Sequence, residues 1–150
     1  MAPASPIAVL LVDGNPTFLR IATQFLSAHA DVRVVGAVQR GAEAVERAQA
    51  LHPDVTLVDL AVPDSSGLAL IAQLGAATGT RVIALSLEDA AAYRAAALDA
   101  GAAAFLSKEA LHTDLLPAIR RFGGGRRGRP GQSADTGRGR AVRAAGGGQG

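Results

Sequence analysis

Short apolar segments alternate with segments of helical periodicity along the first 122 residues of the chain. Apolar runs rich in Val, Ile and Leu predict five strands, at about 7–12, 32–38, 54–59, 81–86 and 104–107. Apolar residues spaced three or four apart predict five helices, at about 16–29, 41–51, 67–76, 88–100 and 111–122. Strands that alternate with helices in this way predict an α/β fold with a parallel sheet.

The polarity of the strands orders them within the sheet. Strands one, three and four are continuously apolar, which places them in the buried centre, whereas strand two contains polar residues and is expected nearer an edge. Right-handed crossovers leave few topologies. We therefore predict a flavodoxin-like doubly wound five-stranded parallel sheet of order 2-1-3-4-5, with helices on both faces and a crevice between strands one and three.

Several residues have the character of helix ends. Asn15 and Pro16 resemble a cap followed by proline at the first helical position. Glu88 and Asp89 suit the positive N-terminus of helix four, and Gly101 is expected to end it.

Composition narrows the class of protein. Apolar residues make up 49% of the chain and aromatic residues 3%, so the core should be aliphatic. The absence of cysteine excludes disulfides, thiolate metal sites and cysteine nucleophiles. The N-terminus lacks the pattern of a signal peptide, and no apolar run approaches the roughly 20 residues of a membrane span. These features predict a soluble, cytoplasmic protein without membrane contact.

Charge divides the chain into an acidic body and a basic tail. Residues 1–122 hold 9 basic and 12 acidic residues, whereas residues 123–150 hold 6 arginines, one acidic residue and 11 glycines. We predict a folded domain at 7–122, with disordered segments at 1–6 and 123–150. Within the tail, residues 127–130 resemble the core of an AT-hook, which binds the minor groove of DNA. The alternative is a solubilising tail with at most non-specific nucleic-acid contact.

Four polar residues close apolar strands or follow them by one to two positions: Asp13, Asp59, Ser86 and Lys108. Parallel sheets bind ligands outside the carboxyl ends of their strands, so these residues predict one site. Lys108 is the only lysine in the chain, since the other fourteen basic residues are arginines. Taken singly, Asp13 could begin a turn or cap a helix, Ser86 could cap helix four, and Lys108 could be a surface lysine.

Together the four side chains suit phosphoryl transfer. Two carboxylates suit Mg²⁺, with Asp13 as a metal ligand, and a carboxylate such as Asp59 can itself be the nucleophile that forms an aspartyl phosphate. Lys108 and Ser86 would share the charge on the phosphoryl oxygens.

The order and spacing of the motifs resemble the receiver domain of two-component response regulators over residues 7–122. The matching features are Leu10–Pro16, Pro53–Asp59, Pro63, Gly67, Ser86, Phe105 and Lys108. The resemblance implies Mg²⁺-dependent phosphorylation of Asp59 by a histidine kinase or a small phosphodonor. It implies that Ser86 and Phe105 are switch residues, that Pro63 and Gly67 shape the loop after strand three, and that a downstream protein binds the face of helix four, strand five and helix five.

Two positions depart from the family. Gly14 replaces the second of two consecutive acids, and the family uses that acid as a metal ligand. Leu87 replaces a small residue and could narrow the entrance to the site. Weak Mg²⁺ binding is therefore expected, with Asn15 as a possible substitute oxygen, and the chain could be a degenerate receiver.

Three functions remain open: a phosphorylated receiver, a binding module that works without phosphorylation, and a nucleic-acid binder that uses its tail. A conventional enzyme is not expected, because the sequence has no Gly-rich phosphate loop and no nucleophile elbow. His29, His52 and His112 lie at predicted helix ends without a shared face, and this arrangement does not favour a histidine metal site.

Overall fold

The structure is a computed structural model that describes residues 5–88 and 90–124. Of the segments predicted to be disordered, 1–6 and 123–150, residues 1–4 and 125–150 lie outside the described residues, as does the AT-hook resemblance at 127–130. The elements follow one another in the order β1 Ile7–Val12, α1 Pro16–Ser27, β2 Val32–Val38, α2 Gly41–Leu51, β3 Val55–Asp59, α3 Gly67–Thr78, β4 Arg81–Ser86, α4 Ala91–Asp99, β5 Ala104–Ser107, a 3-10 turn Lys108–Ala110, and α5 Leu111–Gly123.

The five strands form one parallel sheet in the order β2-β1-β3-β4-β5. This confirms the predicted fold class and strand order. Asp59 pairs with Leu85, and Ser86 pairs with Ser107, so the polar ends of three neighbouring strands lie in register. The crevice between β1 and β3 therefore opens beside these polar ends, as expected for a doubly wound sheet.

Aliphatic side chains fill a core on each face of the sheet. Along β1, Leu10 and Val12 pack with residues of α2, α3 and α4, whereas Val9 and Leu11 pack with residues of α1 and α5. Successive strand residues point to opposite faces, so a strand covered by helices on both sides must be apolar at every position. This requirement explains the uninterrupted apolar run of β1.

Helix α4 begins later than the sequence indicated. It starts at Ala91 rather than near residue 88, and its N-cap residue, Ala90, has no capping side chain. The Ser86 hydroxyl instead accepts a hydrogen bond of 3.1 Å from the Glu88 backbone N–H, which makes a local turn after β4. The idea that Ser86 caps α4 is therefore wrong, and the acidic Glu88 precedes the helix.

The other boundaries differ by one or two residues. Helix α1 ends at Ser27, α3 continues to Thr78, and β3 begins at Val55. Gly101 follows α4 with a φ of +114°, a conformation that favours glycine, so it ends the helix as predicted. Among residues 5–88 and 90–124, no helix is long and apolar enough to cross a membrane.

Candidate functional site

Three charged side chains meet at the carboxyl edge of the sheet. The Lys108 Nζ lies 2.5 Å from Asp13 Oδ2 and 3.6 Å from Asp59 Oδ2. The Asp13 side chain is 2% exposed, and those of Asp59 and Lys108 are each 11% exposed. The structure thus brings together three of the four residues that the sequence singled out, with the ammonium between the two carboxylates.

Asp13 is held from both sides. Its Oδ1 accepts a hydrogen bond of 2.8 Å from the Asn15 backbone N–H, while Oδ2 accepts one from Lys108. The Asn15 side-chain oxygen caps α1 by accepting from the backbone N–H groups of Thr17 and Phe18. Because a carbonyl oxygen has two lone pairs, these bonds occupy the oxygen that Asn15 would need as a substitute metal ligand.

Asp59 is the last residue of β3 and is buried. Burial raises the pKa of its carboxyl, and the neighbouring charge of Asp13 raises the pKa further. Lys108 and the Ala61 backbone N–H oppose this rise by stabilising the carboxylate. The electrostatic environment thus holds a carboxylate that is poorly solvated and close to one cation.

Ser86 and Leu87 lie beside Asp59. A concave surface is lined by Asp59, Ser86, Leu87 and Tyr93, and an adjoining one by Asp13, Asp59, Pro63, Leu87 and Lys108. Leu87 borders both surfaces and is 71% exposed. Its side chain therefore stands at the approach to the carboxylate, where the sequence led us to expect it.

The loop after β3 packs closely against its surroundings. A Cβ added to Gly67 would lie 2.5 Å from the backbone oxygen of Leu60, so only glycine fits there without a shift. A Cβ added to Gly14 would lie 3.0 Å from Pro63 Cδ. Pro63 and Gly67 thus shape this loop through contacts, and Pro63 lies against the position that lacks the expected acid.

Asp64, in the same loop, is a residue that the sequence reasoning missed. Its carboxylate accepts hydrogen bonds from the backbone N–H groups of Gly41 (2.7 Å) and Ala42 (3.2 Å) at the start of α2. The Gly41 bond is the main reason that the Asp64 pKa is lowered. One signal was present: Arg40 occupies the N-cap position and offers no capping bond, so the first N–H groups of α2 need a partner from elsewhere.

Phe105 is buried on β5, with 3% of its surface exposed. The Arg94 guanidinium of α4 lies 4.9 Å from the centroid of the Phe105 ring and donates a 3.4 Å hydrogen bond to the Phe105 carbonyl oxygen. Phe105, which the sequence resemblance predicts to be a switch residue, thus lies inside the fold, covered by a cation from α4. The ring centroid of a second aromatic residue, Phe18 of α1, lies 4.3 Å from Lys108 Nζ, and the sequence analysis did not assign Phe18 to the site.

The oxygen ligands that this site offers to a magnesium ion are few. Within the described part of the chain, no three or more His, Cys, Asp or Glu side chains cluster as metal ligands. Asp13 and Asp59 supply two carboxylates, and Gly14 supplies no side-chain oxygen. Proteins commonly hold Mg²⁺ through one or two carboxylates together with water and phosphate oxygens. The residues present therefore fit this ion, with fewer protein ligands than the family pattern provides.

Comparison with known proteins establishes the family. The family model "Response regulator receiver domain" matches residues 9–120. The chain belongs to this family. It is a receiver domain of two-component response regulators, as the sequence resemblance predicted.

The proteins that are similar to this chain include longer ones. The nitrate/nitrite response regulator protein NarL of Escherichia coli K12 is 30% identical over 126 residues, which are 83% of this chain and 58% of NarL. A protein-glutamate methylesterase/protein-glutamine glutaminase of Vibrio parahaemolyticus is 35% identical over 105 residues, which are 69% of this chain and 28% of that protein. The receiver domain therefore spans only part of these curated relatives.

A solved structure agrees with the fold. The signal receiver domain of the response regulator NarL from Mycobacterium tuberculosis is 33% identical, with a TM-score of 0.76 over 81% of this chain and 99% of that one.

Proposed function

We propose that this receiver accepts a phosphoryl group on Asp59 and transmits the change to a partner-binding face. The observation that carries the proposal is the position of Lys108 between Asp13 and Asp59 at the open edge of the sheet. A buried carboxylate with a lysine ammonium beside it suits the capture of a phosphoryl group, whose oxygens need positive charge.

The proposed phosphoryl transfer forms one bond to phosphorus and breaks another. An Asp59 carboxylate oxygen attacks phosphorus, and the bond from phosphorus to the donor's leaving group breaks as the acyl phosphate bond forms. Lys108 moves from Asp13 to a phosphoryl oxygen, and the Ser86 hydroxyl donates its proton in a hydrogen bond to another oxygen. Asp13 and Asp59 would hold Mg²⁺, which supplies further positive charge when bound. Its binding should be weak, because Gly14 removes a carboxylate.

The phosphoryl donor is proposed to be a histidine kinase or a small phosphodonor, and the output face to comprise α4, β5 and α5. Ser86 ends β4 just before α4, and Phe105 lies on β5 beneath Arg94 of α4. A movement of Ser86 towards the phosphoryl group would therefore act on the elements that carry Arg94 and Phe105. This connection supports α4 as the element that reports phosphorylation to a downstream protein.

Intact mass spectrometry after incubation with acetyl phosphate and Mg²⁺ tests the proposal. We expect an adduct of about 80 Da, the mass that phosphorylation adds, on the wild-type chain and none on Asp59→Ala. An unmodified wild-type chain under strong phosphodonor conditions would refute phosphorylation of Asp59.

A pair of variants at Gly14 tests whether the absence of a carboxylate there weakens Mg²⁺ binding and slows the phosphorylation of Asp59. Gly14→Asp restores the acid, and Gly14→Ala introduces the same close contact with Pro63 without a carboxylate. We expect Gly14→Asp to bind Mg²⁺ more tightly in calorimetric titrations and to form the adduct faster than either Gly14→Ala or the wild-type chain. Equal Mg²⁺ affinity in all three proteins would contradict the role assigned to Gly14.

A binding module that works without phosphorylation is the second candidate. Two observations favour it: Gly14 lacks the third carboxylate, and Lys108 already neutralises Asp13. Under this alternative, Asp59→Ala should keep its partner affinity while the fold persists, whereas loss of binding would reject it. Nucleic-acid binding by the tail, residues 123–150, stays a prediction. Removal of the residues after Gly124 tests it, because this should abolish salt-dependent DNA affinity, and unchanged affinity would reject it.

A further inference from the structure

Lys108 has an aromatic neighbour as well as two acidic ones. The Phe18 ring centroid lies 4.3 Å from Nζ, within the distance at which a ring face attracts an ammonium group. The Lys108 side chain is 11% exposed, so little water competes for this contact. Asp13, Asp59 and Phe18 thus form three sides of the space that holds the ammonium.

The residues that hold Asp13 also place Phe18. Phe18 is the third residue of α1, and its backbone N–H donates to the Asn15 side-chain oxygen that caps the helix. The Asn15 backbone N–H in turn donates to Asp13. A short chain of hydrogen bonds therefore links the carboxylate on one side of Lys108 to the backbone that carries the ring on another side.

We propose that Phe18 is a positioning residue that holds the Lys108 ammonium in the gap between Asp13 and Asp59. A carboxylate attracts an ammonium along defined hydrogen bonds, whereas a ring face attracts it without such directionality. The ring can therefore stabilise the ammonium at Asp13 and also when it moves towards Asp59. An aliphatic side chain of similar size would fill the space without attracting the charge.

The functional consequence rests on the proposed function. Phosphoryl transfer to Asp59 requires Lys108 to leave Asp13 and to contact a phosphoryl oxygen. A ring that attracts the ammonium at both positions favours the gap over the solvent outside it, so Lys108 stays available to a phosphoryl oxygen. Loss of the ring should slow adduct formation by about three- to thirty-fold, which is the range expected for a partly desolvated cation–π contact.

The single lysine makes the contact directly observable. In a chain without added tag residues, lysine labelled with ¹³C at the ε position gives one side-chain signal, because Lys108 is the only lysine. Protons above a ring face resonate upfield, so the Lys108 ε-protons should be shifted upfield in the unphosphorylated wild-type protein. We expect Phe18→Leu to abolish this shift and Phe18→Tyr to retain it.

Phe25→Leu is the matched control. Phe25 lies on the same helix, packs against the same apolar core and makes an edge contact with His29 at 5.5 Å. It should change neither the Lys108 signal nor the rate of adduct formation. If Phe25→Leu changed the Lys108 signal and the rate as much as Phe18→Leu does, both effects would be explained by a general loosening of α1. That result would overturn the proposal.

The two readouts separate this inference from the proposed function. A Lys108 signal that Phe18→Leu leaves unchanged overturns the positioning role, whatever the chain does with acetyl phosphate. A signal that moves in Phe18→Leu, returns in Phe18→Tyr and accompanies slower adduct formation supports it. If the wild-type chain forms no adduct, the proposed function fails, while the resonance still decides whether Phe18 holds the ammonium.

Discussion

At the scale of single residues, the charge on Asp59 is the most costly feature of the site. The carboxyl is buried, and its nearest acidic neighbour is Asp13, so both influences raise its pKa above the usual value of 3.8. The folded state therefore binds a proton more tightly than the unfolded state does. Stability should fall as the pH rises from about 3.8 through the raised pKa, and the loss is complete above it.

Asp59→Asn should consequently be more stable than the wild-type chain at pH 7, with a smaller difference near pH 3.5, where both forms are neutral. Thermal unfolding followed by circular dichroism at the two pH values checks this. Asp13→Asn is the contrasting variant, because it removes the closest partner of Lys108, leaves only Asp59 at 3.6 Å, and should destabilise the protein at pH 7. Destabilisation by Asp59→Asn of equal size at both pH values would contradict the argument.

Leu87 provides a second test at a single residue. Its side chain borders both concave surfaces beside Asp59 and is largely exposed. Leu87→Ala should therefore leave the free energy of unfolding within about 0.5 kcal/mol of the wild-type value, as is usual for surface changes. It should speed adduct formation by acetyl phosphate several-fold, measured by mass spectrometry over time. An unchanged rate would mean that Leu87 does not limit access.

The sequence predicted the polar members of the site and missed the aromatic one. Asp13, Asp59 and Ser86 sit at strand ends, where a polar residue after an apolar run is conspicuous. Phe18 has no such signal, because an aromatic residue on an amphipathic helix is usually part of the core. Its contact with Lys108 spans 90 positions and depends on how α1 packs against β1 and on the path of the chain after β5, and local periodicity cannot give this.

At the scale of elements, Asp64 joins the loop after β3 to the start of α2. Its carboxylate accepts from two backbone N–H groups of α2, and these bonds lower its pKa. A lowered pKa means that the stabilisation is present above the usual value of 3.8 and is lost as the pH falls through the folded-state value. The loop that carries Pro63 is thereby tied to α2, which packs with α3 in the same core cluster.

Asp64→Ala should lower the midpoint of urea unfolding at pH 7 and should have less effect at pH 2.5. The neighbouring Ser65→Ala serves as a control for removing a polar side chain from the same loop. A shift at pH 7 for Asp64→Ala alone supports the tie between the loop and α2. Equal shifts for both variants would point to a general loss of order in the loop.

Helix α4 shows where local signals mislead. Glu88 is the kind of residue that stabilises a helix N-terminus, yet the helix begins three residues later, at Ala91. The hydrogen bond from the Glu88 N–H to the Ser86 hydroxyl closes a turn at residues 86–88, so the helix begins only after this turn. Helices α1 and α3 began where expected, because a side chain caps each of them, Asn15 in α1 and Ser66 in α3.

At the scale of the whole molecule, strand order followed from hydrophobicity because central strands must be apolar on both faces. The contact between the end of α5 and the beginning of β1 could not be predicted from the hydrophobicity of the strands. Gly123 is buried at the end of α5, and a Cβ added there would lie 2.5 Å from Ile7 Cγ2 and 3.0 Å from Val55 Cγ2. The folded unit thus includes Gly123, one residue beyond the predicted boundary, because α5 reaches back to the beginning of β1.

Gly123→Ala should therefore destabilise the protein by about 1–3 kcal/mol through overpacking against Ile7. Gly124→Ala is the matched control, because nothing lies within 4 Å of a Cβ added there. Chemical denaturation of both variants measures the difference. Equal stability of the two variants would show that α5 does not press on β1 at this point.

The same contact fixes where the chain leaves the domain. Gly123 lies at the amino end of β1, whereas Asp13 follows the carboxyl end of that strand, a rise of roughly 20 Å for six residues. Gly123 and Gly124, the last residues that the structure describes, therefore lie on the side of the sheet opposite the carboxylates. A fluorophore or a surface linker joined after Gly124 would leave the phosphoryl donor a clear approach, so the protein can be immobilised with its reactive edge facing solution.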